Sequence, residues 1–96
     1  MTNIERKKAI NTIIEHYVKE LQLEVVQEEL AELIQAISKY KRIKSHKNYD
    51  NMVEEVADVF IMINQLVSMM CIPWYTVEEE IDYKLNRTLQ RIKEDK

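Results

Sequence analysis

The stretch QEELAELIQA, residues 27–36, decides how this chain is read, together with a near copy of it, VEEVADVFIM, at residues 53–62. Each carries acids three residues apart among aliphatic side chains. With about 100° of rotation per residue, Glu29 falls inside the apolar stripe of a helix that also presents Val26, Leu30, Leu33 and Ile37. Glu32 lies on the margin of that stripe, and Glu28 points to the wet face beside Gln35 and Lys39. In the second stretch Glu55 takes the same inward position among Val56, Val59, Ile63 and Leu66. Asp58 is marginal there, and Glu54 points away. Both segments are amphipathic helices that carry a carboxylate into their own apolar face.

A lone buried carboxylate is costly and normally takes a proton or a positive partner. Two inward pairs on adjacent helices repel each other, and a divalent cation relieves that repulsion. Hard carboxylate oxygens suit Mg²⁺, with Mn²⁺ as the alternative. The competing explanation is two solvated or salt-bridged faces, with basic residues neutralising the acids.

The rest of the chain fits a helical frame. It has no glycine and one proline, so turns are few, and its 46% apolar and 32% charged content is that of a globular helical chain. Its 96 residues suit a single domain, 1–96, that buries only about 60–65% of its unfolded surface, so a partner subunit would relieve a small core. A first helix is expected over residues 4–20, where Ile10, Ile13, Ile14, Tyr17, Val18 and Leu21 recur at helical spacing. A second is expected over 23–43, with the break placed near Gln22. The third is expected to start at an Asp50 N-cap and run to about 70, and Pro73 cannot continue it. In the fourth, TVEE reads as a capping box that starts a helix at Thr76, and Val77, Ile81, Leu85, Leu89 and Ile92 supply an apolar stripe to about 93. Short connections make consecutive helices antiparallel.

The fourth helix places Lys84, Arg87 and Arg91 on the border between its apolar stripe and water, where cations can hold phosphate oxygens. Glu80 offers Lys84 an ordinary surface partner instead. The basic run at 39–47 begins at a helix C-terminus, where positive charge is favourable without any ligand. A formal charge of −3 gives no general pull toward a DNA or RNA polymer. One cysteine excludes an internal disulfide, and the absence of a long apolar run argues against a membrane and for the cytoplasm. Trp74 could stack on a base or seal a dimer.

At its acidic residues the chain resembles the MazG-like branch of the all-α nucleoside triphosphate pyrophosphohydrolases. EELAE, Glu28 to Glu32, is followed after 22 residues by EVAD, Glu55 to Asp58, and the pairing of the two motifs is more specific than either half. The resemblance covers nearly the whole chain. It implies an all-α, antiparallel four-helix bundle-like domain of MazG type, completed by oligomerisation as a homodimer or dimer-based tetramer. It also implies that Glu29, Glu32, Glu55 and Asp58 bind Mg²⁺ and serve catalysis, with Glu28 in a less defined supporting role. Lys84 and Arg87 are similar to the basic residues that relatives place near the triphosphate. The implied reaction is hydrolysis between the α and β phosphates, giving a nucleoside monophosphate and pyrophosphate. A phosphoribosyl-ATP pyrophosphatase of histidine biosynthesis shares this fold and bond type, but its basic substrate contacts are not evident. A noncatalytic helical interaction module or nucleotide sensor is the rival outside enzymology.

Overall fold

The computed structural model describes residues 1–95, which form four helices and no strand: α1 Asn3–His16, α2 Lys19–Arg42, α3 His46–Met69 and α4 Trp74–Glu94. The expected helical class and helix number hold, while three boundaries differ. The first break falls at Tyr17 and Val18 rather than near Gln22. Helix α3 starts earlier than expected. Ser45, not Asp50, is its N-cap, and the Ser45 side chain accepts a hydrogen bond from the Asn48 amide at 3.1 Å. Asn48 in turn donates to the Ile43 carbonyl at 2.9 Å, which ties down the short connection from α2. Nor does Thr76 cap α4: the helix begins after Pro73, and Thr76 sits inside the first turn, donating its amide to the Pro73 carbonyl at 3.0 Å. Proline at a helix start sacrifices no intrahelical bond, so it overrides the downstream capping pattern. At the other end of the chain Thr2 and Glu5 form a reciprocal capping box on α1.

The turn after α3 must close without glycine. Cys71 takes the left-handed conformation, φ 53°, with the Cys71 amide donating to Ser68 and the Ile72 amide to Val67. This is the double-bonded helix ending that glycine usually supplies.

Helices α2 and α3 make the main interface, and α1 packs along α3. The α2–α3 pair is antiparallel: Gln22 meets Gln65 near one end, Glu29 and Glu32 meet Glu55 in the middle, and Tyr40 meets Tyr49 at the connecting end. Val26, Ala36, Val59 and Val67 are the buried apolar residues, joined by Gln22 and Gln65. A fully buried valine contributes about 1.5–3 kcal/mol, so this core is thin.

Helix α4 departs from expectation more than any boundary does. Its stripe was expected to enter the core, yet Ile81, Leu85, Leu89 and Ile92 are exposed, and only Val77 is half-buried. It packs little on the other three helices, so the bundle-like domain is open on that side.

A candidate metal centre between α2 and α3

Glu29 and Glu32 sit one helical turn apart near the middle of α2, and Glu55 and Asp58 are spaced in the same way on α3. Glu29 and Glu55 are half-buried, as expected for residues inside the apolar stripes, whereas Glu32 is exposed and Asp58 half-buried on the margins. Carboxylate oxygens of Glu29, Glu32 and Glu55 all lie within 4.8 Å of one another. Asp58 falls outside that trio, but its charge acts on both Glu29 and Glu55. Glu28 is exposed, and the structure gives it no part in the cluster.

One oxygen of each inner glutamate is orphaned. The Oε2 atoms of Glu29 and Glu55 are buried and have no hydrogen-bond partner. Buried polar atoms nearly always find one, so two such exceptions side by side require a cause. Burial raises the pKa of Glu29 above its usual 4.5, and the negative charges of Glu32 and Asp58 raise it further. Glu55 is raised by burial first, then by the same two neighbours. The perturbing charges are all acidic. The donors are therefore hard, anionic, convergent and unsatisfied, which fits a divalent cation.

The expected phosphate-binding residues lie on the helix that packs least against the others. Lys84 and Arg87 are exposed on α4, and the Arg87 guanidinium lies over the Tyr83 ring, 5.7 Å from its centroid. Trp74 lines an open groove of about 960 Å³ between α1 and α3 with Ile10, Phe60 and Val67. Those α3 residues face away from Glu55, so Trp74 belongs to a different surface from the acids.

Sequence reasoning passed over Gln22 and Gln65. They are among the most buried side chains, and the Gln22 amide donates to the Gln65 carbonyl oxygen at 2.6 Å. A signal was present: Gln22 lies seven residues before Glu29, on the same stripe of α2.

A family model described as phosphoribosyl-ATP pyrophosphohydrolase matches residues 4–85, a span that contains both acidic motifs and α4 as far as Leu85. Its description names the substrate-specific branch that the sequence reading ranked behind broader nucleoside triphosphate hydrolysis. Neither a curated protein nor a solved structure matches the chain significantly.

Proposed function

The chain belongs to the phosphoribosyl-ATP pyrophosphohydrolase family, within the MazG-like all-α superfamily, and from that premise we propose that it hydrolyses the α–β anhydride of a nucleoside triphosphate. The products would be a nucleoside monophosphate and pyrophosphate. Membership carries pyrophosphohydrolase chemistry, and one observation carries the site: the paired, partnerless Oε2 atoms of Glu29 and Glu55 beside Glu32.

In this reading Glu29, Glu32, Glu55 and Asp58 hold Mg²⁺, or Mn²⁺ in its place. The bound cation lowers the pKa of a water and offsets charge on the phosphoryl oxygens. The side chains supply the remaining parts. Glu29 and Glu55 hold protons more tightly than ordinary carboxylates while the site carries no cation, and binding one would release those protons. Lys84 and Arg87 would grip the β and γ phosphates and stabilise the leaving pyrophosphate. Because α4 packs little against its own α2–α3 pair, these cations would arrive from the α4 of another copy, in a homodimer or dimer-based tetramer. Among the described residues no helix is long and apolar enough to cross a membrane; a cytoplasmic location and a single domain complete the proposal.

The family description favours a second reading, in which the triphosphate carrier is phosphoribosyl-ATP. Both readings share the bond and the metal centre. The deciding experiment offers the purified chain phosphoribosyl-ATP alongside the common ribo- and deoxyribonucleoside triphosphates and measures pyrophosphate release with Mg²⁺. Pyrophosphate and monophosphate should form in equal amounts, and chelation or Glu29→Ala/Glu55→Ala should abolish both. A preference for phosphoribosyl-ATP greater than about tenfold in kcat/KM, or about 1.4 kcal/mol of barrier, assigns the second reading. No release from any substrate sinks the enzyme and leaves the noncatalytic module.

A further inference from the structure

We propose that the buried Gln22–Gln65 pair fixes the register of α2 against α3 and so positions the carboxylates of the candidate metal centre. The inference rests on the metal reading above. Gln65 is 1% exposed and Gln22 6%, deeper than any of the four acids, and their side chains meet at 2.6 Å across the interface. Gln22 precedes Glu29 by seven residues on α2, and Gln65 follows Asp58 by seven on α3. In an antiparallel pair, equal offsets in opposite directions place the glutamine rung two turns along the same seam from the acids.

The seam gives this rung its importance. Its buried apolar residues are Val26, Ala36 and Val59, small side chains that pack acceptably in more than one axial position. Apolar cores of this kind lose uniqueness before they lose stability. A metal centre is less forgiving, because its ligands must hold to within about 0.5 Å. A buried hydrogen bond between helices has one good register, and slipping leaves both amides buried and unpaired. Polar groups buried in helix interfaces have their best-attested use in selecting register, at some expense of stability. Gln22 and Gln65 are thus positioning residues, acting on Glu29, Glu32, Glu55 and Asp58 through the helices that carry them.

The test uses Gln22→Leu/Gln65→Leu, which removes both amides together and leaves neither orphaned. Two measurements are made on the full chain: Mn²⁺ affinity by electron paramagnetic resonance, and a spin–spin distance without metal. The distance is read between labels at the exposed positions Ser38 and Glu54 in a Cys71→Ser background. The double variant should keep its helix content and melt no lower than the parent, yet bind Mn²⁺ about tenfold more weakly. Its distance distribution should broaden or shift, whereas the parent gives one narrow distance. A purely structural pair would lower the melting temperature and leave Mn²⁺ affinity intact. Unchanged affinity together with an unchanged distance overturns the proposal. If the parent binds no Mn²⁺ while the variant's distance still shifts, the metal reading falls and the register role stands.

Discussion

Glu29 and Glu55 each expose part of the side chain and bury one oxygen without a partner, and that division governs how they respond to pH. Their pKa values are raised in the folded chain, so between the ordinary value of 4.5 and the raised values the native state binds more protons than the unfolded state. Stability from these two groups is therefore fully present below about 4.5 and is lost as pH rises through the folded values. In the metal-free protein, thermal melts should show a component of stability that declines through this window. Glu29→Gln/Glu55→Gln should flatten it and raise the melting temperature at neutral pH. Saturating Mg²⁺ should oppose the decline in the parent by binding only the folded, deprotonated site, and the double variant should lose that response. A parent whose melting temperature ignores both pH and Mg²⁺ would contradict the site.

At the level of single helices, local periodicity carried the sequence reading far, because a helical wheel depends only on neighbours within a few turns. It placed Glu29 and Glu55 inside their stripes, and the structure half-buries both. Helix ends were harder to read. The first turn of α3, His46 to Tyr49, has no apolar rhythm to mark it, so Asp50 looked like the start, while the cap that forms is Ser45 with Asn48. TVEE offered a capping box that Pro73 preempts. Ser45→Ala should accordingly destabilise the protein by about 1 kcal/mol, while Asp50→Ala, on the exposed face, should stay within about 0.5 kcal/mol. Urea denaturation of the two variants checks the assignment, and the reverse order would refute it. Long-range pairing was the other blind spot. Nothing in a wheel says that Gln22 will find Gln65, because their meeting depends on the antiparallel register of two separate helices.

The molecule as a whole is more open than its length warrants. Its radius of gyration is 16.6 Å, against about 12.5 Å for a compact chain of this size. Its accessible surface is 8115 Å², against about 5,800 Å² for a folded monomer of this mass. The excess, on the order of 2,000 Å², is comparable to a substantial protein–protein interface. Much of the unmatched apolar surface lies on α4, where Leu85 is 58% and Leu89 59% exposed. Composition hinted at this shortage of core, but the sequence could not show which helix would be left without a partner. Light scattering should find the parent chain as a dimer or larger. Leu85→Glu/Leu89→Glu should yield a monomer that retains Mn²⁺ binding through α2 and α3 but loses hydrolysis. A parent that stays monomeric at micromolar concentration would refute assembly through α4.

The same division imposes an order of events during synthesis and assembly. The four acids lie on two consecutive helices joined by three residues, so they can converge by closure of one short loop, at a rate independent of dilution. In the proposed assembly, covering α4 would require an encounter between chains and would slow as they become scarce. On the proposed function, a newly made chain at low abundance would therefore pass through a period in which it captures a cation before it can process a nucleotide, and the delay before activity would be set by expression level.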